Sequence, residues 1–218
     1  MYTHKPGFYE KYIKRLLDIL ISGLALIILS PTLLVVSILV AIKLGRPVIF
    51  HQQRPGKNEK IFGLCKFRSM TNEKDENGNL LPDEVRLTKF GSFLRKTSLD
   101  ELPELWNIFK GDMSLIGPRP LLIKYLPYYD ERQKHRHDVR PGLSGLAQVH
   151  GRNLQTWDQR FEYDLKYIEN ITFLNDLKIV FQTFSKAVIK QEGVQAGESV
   201  TMMDFVDYCN EKSKKKDE

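Results

Sequence analysis

ILISGLALIILSPTLLVVSILVAI, running from Ile19 to Ile42, contains no charged side chain and breaks at Ser30-Pro31 near its middle. About 20 such residues span the hydrocarbon core of a bilayer, so the stretch reads as a membrane helix. Basic residues flank both ends: Lys11, Lys14 and Arg15 before it, Lys43 and Arg46 after it. A simple span biases Lys and Arg to one side. Basic flanks at both ends instead favour two ends on the cytoplasmic face, with Lys14 and Arg15 among the anionic lipid headgroups. Proline removes a backbone donor and clashes with the preceding turn. The Ser30 hydroxyl is placed to recapture a carbonyl freed at the break. The expectation is a re-entrant helix-break-helix that turns at Ser30-Pro31. From this pattern alone a straight or kinked span stays open. A signal peptide is disfavoured by the length of the run and by the lack of a small-residue cleavage site. A buried soluble helix is disfavoured by the lack of a polar face.

After this segment about 170 residues remain, enough for one compact domain with its own core. The expected division is residues 1–46 as the membrane segment, 47–205 as a cytoplasmic catalytic domain and 206–218 as a disordered basic tail. The expected fold class is α+β, mostly helical, with a small β-hairpin or sheet. The net charge is +6, from 33 basic and 27 acidic side chains. That balance suits anionic lipid or a phosphorylated ligand. No nucleic-acid module is recognisable, so nucleic acid is not an expected partner. Cys65 and Cys209 lack metal-site spacing and suggest no disulfide scaffold, which fits a reducing compartment.

Val48-Ile49-Phe50 and Ile61 to Phe67 read as partner strands around the turn signal Arg54-Pro55-Gly56. Asn72 to Glu84 reads as an exposed loop. Helices are expected over Val85–Lys96, Asp100–Phe109 with Gly111 as its stop, Pro127–His137, Trp157–Ile168 and Leu174–Lys190. In the last of these, Leu177, Val180, Phe181 and Phe184 share one face.

Ser98-Leu99-Asp100-Glu101-Leu102-Pro103-Glu104 carries the strongest chemical signal. Ser98 with Glu101 fits a capping box. With Asp100 as the N-cap instead, Pro103 falls in the first turn, where its missing N–H costs no bond. Either arrangement sets two adjacent carboxylates at a helix N-terminus, whose dipole favours their ionised forms. An ionised carboxylate is a competent nucleophile toward phosphorus. Two carboxylates would repel a phosphate unless cations offset them, and Mg²⁺ typically takes one or two carboxylates plus phosphate oxygens. Arg95 precedes the pair, and Arg119 follows it between Pro118 and Pro120, which hold its fork for bidentate phosphate contact. A structural salt bridge is the competing role for Arg119. Lys66 and Arg68 add two cations just past a strand, where a solvated strand end is the plainer reading. His135 and His137 look like a solvated helix end, and His150 sits in a loop within reach of a ligand. No G-x-S-x-G, Walker A or H-E-x-x-H pattern occurs.

These residues resemble the bacterial sugar transferase family, the small monotopic polyprenyl-phosphate phosphoglycosyl transferases. The resemblance rests on Lys14-Arg15-Leu16-Leu17-Asp18, Ser30-Pro31, Gln53-Arg54-Pro55-Gly56, Lys66-Phe67-Arg68-Ser69-Met70 and Ser98 to Pro103. Lys110-Gly111-Asp112-Met113-Ser114, Gly117-Pro118-Arg119-Pro120 and Arg140-Pro141-Gly142 complete it, so that it covers Tyr12 to Met203. It implies a re-entrant helix and an Asp-Glu dyad at Asp100 and Glu101, with Mg²⁺ near Asp100 and phosphate bound by Arg119. The implied reaction takes a UDP-sugar and undecaprenyl phosphate at the bacterial inner membrane and releases UMP. Asp100 first forms a phosphosugar ester, which the lipid phosphate then attacks. With no further span in sight, the chain looks like the minimal catalytic form; a homodimer is an admissible assembly. Asn79 to Leu87 and Gly151-Arg152-Asn153 look most like members using diacetamido sugars, such as UDP-N,N'-diacetylbacillosamine. Two other classes compete. A membrane-anchored nucleotide-sugar binder or scaffold without turnover gains nothing from carboxylates set against a phosphate. A pyrophosphatase using water has no need of a re-entrant segment.

Overall fold

The apolar stretch folds as two helices, joined at one residue. In the computed structural model, which describes residues 4–151, 155–185 and 203–214, a π-helical turn at Tyr9–Lys14 leads into α1 (Arg15–Ile28). After Leu29 comes α2 (Ser30–Lys43), and the pair is bent by 63°. Pro31 lies in the first turn of α2, where the missing N–H has no helical partner to lose. The proline thus starts a helix and does not interrupt one. Ser30 Oγ donates to the Ile27 carbonyl at 2.8 Å, the recapture that the sequence predicts. No single helix among the described residues is long and apolar enough to cross a membrane; only the bent pair reaches that length and composition.

The expected hairpin is present. β1 (Ile49–Pro55) pairs antiparallel with β2 (Ile61–Phe67), Ile49 opposite Phe67 and Pro55 opposite Ile61. The helix expected over Val85–Lys96 is split into α3 (Asp83–Arg86) and α4 (Lys89–Lys96), because Leu87 and Thr88 are extended and Thr88 caps α4 by accepting from Gly91 N. After a 3₁₀ turn at Leu99–Glu101 comes α5 (Glu104–Lys110), which ends at Gly111 with φ 101°, the left-handed stop predicted for it. β3 (Ser114–Ile116) pairs in parallel with β4 (Gly142–Ser144), a contact no local pattern announces. Two 3₁₀ turns, Ile123–Tyr128 and Gln133–His137, replace the helix expected over Pro127–His137.

A short α6 (Leu146–Val149) precedes α7 (Trp157–Glu169), α8 (Phe173–Phe184) and α9 (Phe205–Lys214). The expected extension of α8 to Lys190 lies outside the described residues. The shared face of α8 points outward, with Phe181 66% exposed. The tail is a correction: residues 205–214 form a helix. Phe205 is buried against Trp157 and Phe161, and Tyr208 and Lys212 both bond Asp158. One buried aromatic anchors a segment whose charge run suggested disorder.

Helix α1 is fastened to the rest of the fold. Asp18, almost fully buried, accepts from Ser114 Oγ at 3.1 Å and Leu115 N at 2.9 Å. Arg15 donates to the Ile108 and Phe109 carbonyls at the C-terminus of α5, and Lys14 pairs with Asp176. Both cations, expected among lipid headgroups, have internal partners. The tertiary fold brings the negative end of α5 and a shielded carboxylate against them.

Candidate phosphate-transfer site

A cleft of about 1020 Å³ opens between the helix pair and the rest of the fold. Ala25, Leu29 and Leu105 supply an apolar wall; Lys66, Arg95, Asp100, Glu101 and Arg119 supply a charged one. The strand β2 and helix α5 bring these together through Asn107. Its Oδ1 accepts from Cys65 N at 2.9 Å, and its Nδ2 donates to the Gly63 carbonyl at 2.8 Å. The side chain is fully buried, so this clamp sets Lys66 against the start of α5.

Neither expected cap forms. Ser98 takes a left-handed backbone, φ 56°, and its side chain makes no capping bond. Asp100 and Glu101 lie within the 3₁₀ turn, and α5 begins only at Glu104, with Pro103 at the N-cap. The proline thus stays outside the hydrogen-bonded helix. The dyad precedes the helix by one turn, and its field comes chiefly from side-chain cations. Lys66 Nζ and Arg119 Nη2 both lie 2.8 Å from Glu101 Oε1. Lys66 Nζ is also 3.1 Å from Glu104 Oε1, an ion-pair contact whose angle makes no hydrogen bond.

This arrangement divides the carboxylates. Burial raises the Asp100 pKa and the Glu101 charge raises it further, while Lys66 and Arg95 pull it back only in part. Burial would raise Glu101 as well, but Arg119 and Lys66 outweigh it and hold Glu101 ionised. Glu104 is pushed up by burial, with Lys66 opposing and the Glu101 charge adding to the push. Asp100 is therefore the carboxylate with no side-chain partner among the described residues, and it borders the cleft.

Arg119 is presented by a rigid loop. Gly117 packs so closely on the next segment that a Cβ there would sit 2.5 Å from the Arg140 carbonyl. Arg136, itself paired with Asp164, donates to the Arg119 carbonyl at 2.8 Å, and Arg54 donates to the Pro120 carbonyl at 3.3 Å. The Arg119 side chain pairs with Glu101 yet remains 43% exposed toward the cleft, so the salt-bridge and ligand-binding readings coexist. The Glu101 charge raises its pKa.

Of the sequence-predicted cations, Lys66, Arg95 and Arg119 surround the dyad. Arg95 Nε donates to Ser69 Oγ at 2.9 Å, which aims it along the cleft wall. Arg68 borders the cleft but donates to the Arg46 carbonyl at 3.0 Å, so part of its fork serves the end of α2. His137 is a correction. It is buried, and desolvation together with the neighbouring Arg136 charge lowers its pKa to about 3, so it stays neutral. His150 stacks on Tyr163 and is not part of the cleft wall. Arg152 and Asn153 lie outside the described residues.

Sequence reasoning assigned no role to Glu104, Arg54 or Arg136. Glu104 carried a usable signal, since it follows Glu101 by three residues and such residues neighbour each other across a helical turn. Arg54 and Arg136 act through contacts distant in sequence, which no local pattern records. Among the described residues no group of three or more His, Cys, Asp and Glu side chains gathers as a metal cage. Mg²⁺ needs no such cage, because water and substrate phosphate fill most of its positions. The unpartnered Asp100 carboxylate is a fitting donor for it.

Comparison with known proteins places the chain among transferases. The chain is 50% identical over 193 residues to the sugar transferase EpsL of Bacillus subtilis, covering 88% of this chain and 95% of that one. It is 42% identical over 188 residues to a UDP-glucose:undecaprenyl-phosphate glucose-1-phosphate transferase of Klebsiella pneumoniae, covering 82% of this chain and 40% of the relative. It is 38% identical over 201 residues to an undecaprenyl-phosphate galactose phosphotransferase of Salmonella typhimurium, covering 84% of this chain and 42% of that one. The chain thus spans about two-fifths of these last two relatives. The bacterial sugar transferase profile matches residues 9–190. On that match and on the likeness to EpsL along nearly its whole length, the chain belongs to the bacterial sugar transferase family.

Proposed function

We propose that this chain moves a sugar phosphate from a UDP-sugar to undecaprenyl phosphate at the cytoplasmic face of the inner membrane and releases UMP. The observation that carries the reading is the division of the dyad. Glu101 is neutralised by Lys66 and Arg119, whereas Asp100 borders the cleft with no side-chain partner among the described residues. A scaffold that only bound nucleotide-sugar would gain nothing from such a carboxylate. Relatives named for transfer of glucose, galactose and N-acetylgalactosamine phosphates onto undecaprenyl phosphate support the same class.

The reaction divides into two displacements at phosphorus. An Asp100 oxygen attacks the sugar-proximal phosphorus, and the bond to the bridging oxygen breaks, so UMP departs with that oxygen. An oxygen of the lipid phosphate then attacks the same phosphorus. The aspartyl ester bond breaks, the carboxylate is restored and a polyprenyl diphosphate sugar leaves. Arg119, with Lys66 and Arg95, steadies phosphate oxygens as charge shifts onto the departing group. Asp100, together with substrate phosphate oxygens, would hold Mg²⁺, which would supply further charge stabilisation.

The membrane reading draws on several surfaces. Leu24, Ile27, Leu34 and Ile42 on the helix pair are all more than half exposed, as are Leu174 and Phe181 on α8. Tyr9 touches Phe173, so α8 starts beside the turn that leads into α1. Apolar surface of this extent suits lipid contact. Ala25 and Leu29 extend it into the cleft, toward the site for the lipid phosphate. The preferred donor is a diacetamido sugar. Asp83 and Arg86, from the segment that carries that resemblance, border the cleft and bond each other at 2.6 Å.

The test is Asp100→Asn with a panel of UDP-sugars. Wild-type protein incubated with donor alone should carry a phosphosugar mass on Asp100, and the variant should carry none and release no UMP above background. Turnover by the variant near the wild-type rate would remove Asp100 as nucleophile.

A further inference from the structure

We infer a second phosphate site, separate from the cleft, in a hollow of about 210 Å³ between the N-terminal turn and the catalytic body. Its walls carry Lys11, Lys14, Arg15, Lys57 and Arg140 against two carboxylates, Glu10 and Asp18. Both carboxylates are already engaged: Glu10 with His4 at 2.8 Å, Asp18 with Ser114 and Leu115. Lys14 is matched by Asp176. Among the described residues no carboxylate makes a direct ion pair with the other cations. Lys11 and Lys57 are exposed and have no carboxylate partner among the described residues. Arg140 donates its Nε to the Gly111 carbonyl at 2.9 Å, and no other bond from its fork occurs among the described residues. Arg15 sits at the same end of α5, bonded to neutral carbonyls.

Five cations therefore border one small hollow against two lining carboxylates and the Asp176 partner of Lys14, which leaves an excess of positive charge. Like charges around one small hollow repel, and an anion entering it reduces that repulsion. The remaining arm of Arg140 offers paired N–H donors, the geometry that suits phosphate oxygens. Two sources share this chemistry: the phosphate diester of an anionic lipid headgroup, and free phosphate. The hollow lies beside the turn that leads into α1, which favours a lipid headgroup. Occupancy would fasten that turn to Lys57 on the hairpin and Arg140 on the body. Only the choice of source rests on the membrane reading; the site itself is independent of the transferase reaction.

The full chain in neutral detergent is titrated with dihexanoyl phosphatidylglycerol, dihexanoyl phosphatidylcholine or inorganic phosphate, and the melting temperature is read. Phosphatidylglycerol should raise the wild-type Tm and phosphatidylcholine should not. In Lys11→Gln/Lys57→Gln, two exposed positions outside the transferase machinery, the midpoint of that response should rise at least tenfold. Arg140→Gln, if it folds, should do the same. A wild-type response to inorganic phosphate alone, lost in the double variant, supports the site and assigns it to soluble phosphate. Equal response of wild type and double variant overturns the proposal, as does phosphatidylcholine acting as well as phosphatidylglycerol. UMP-induced stabilisation on the same samples reports the cleft separately, so a failure of the transferase reading is distinguishable.

Discussion

Replacing Lys66 with Met leaves the stem in place and removes the charge that joins two acidic side chains. Its Nζ lies 2.8 Å from Glu101 Oε1 and 3.1 Å from Glu104 Oε1, and the side chain is only 18% exposed. Stranding one member of a buried ion pair costs about 3–5 kcal/mol. Glu101 keeps Arg119, and Glu104 can take up a proton, so the loss should sit at the low end, about 3 kcal/mol. For a chain of this length each kcal/mol is worth about 2–4 °C, which gives a fall in Tm of about 6–12 °C. The pH dependence has a definite sign. The Glu104 pKa is already raised, and loss of Lys66 raises it further, so its ionised form is the destabilised one. The deficit should therefore be smaller at pH 6 and larger at pH 8. Adding Glu104→Gln removes the stranded acid and should recover roughly 1–2 kcal/mol of the loss. Thermal denaturation of wild type, both single variants and the double variant at the two pH values closes the cycle. A Lys66→Met protein within about 2 °C of wild type at pH 8 would refute the reasoning, as would a double variant less stable than Lys66→Met alone.

Three further outcomes are expected. Arg119→Ala should cost roughly 2–4 kcal/mol in kcat/KM and Arg119→Lys somewhat less, because Lys keeps the charge and loses the fork; steady-state UMP release measures both. The acid limb of the pH–rate profile should lie above the usual aspartate range, since burial and Glu101 raise the Asp100 pKa and the proposed nucleophile must be ionised. Glu101→Gln removes one of those causes and should move that limb to lower pH whatever it does to the rate; a limb that moves upward contradicts the assignment. Pro31→Leu should favour a straight helix across the break, with labelling at position 11 passing from cytoplasmic only to partly periplasmic.

The broken apolar stretch, the hairpin and the Gly111 stop are legible in the amino-acid sequence, because each is written in neighbouring residues. An uncharged run, a proline inside it, alternating strands and a glycine after a helix act over one or two turns of chain. Local patterns mislead where two local rules compete. Ser98 to Glu101 has the form of a capping box, yet the left-handed backbone at Ser98 and Pro103 shortly after it delay the helix to Glu104. A true capping box forms at Thr156 and Gln159, where no proline interferes.

Tertiary structure decided which charge serves which purpose. Lys14, Arg15, Lys66 and Arg119 look alike in a sequence as cations beside anionic ligands. Only the fold shows that the first two are held by Asp176 and the end of α5, while the latter two converge on Glu101. The same holds for the carboxylates. Asp100, Glu101 and Glu104 differ in pKa because burial and neighbouring charge differ over a few ångströms, and those distances join β2, α5 and the Gly117-Pro118-Arg119-Pro120 loop. Sequence determines the types of charge available and the long uncharged stretch that breaks at Ser30-Pro31. Packing between residues far apart in the chain determines which acid is held ionised by fixed partners and which borders the cleft without one, because electrostatic energy depends on separation and burial and not on order along the chain.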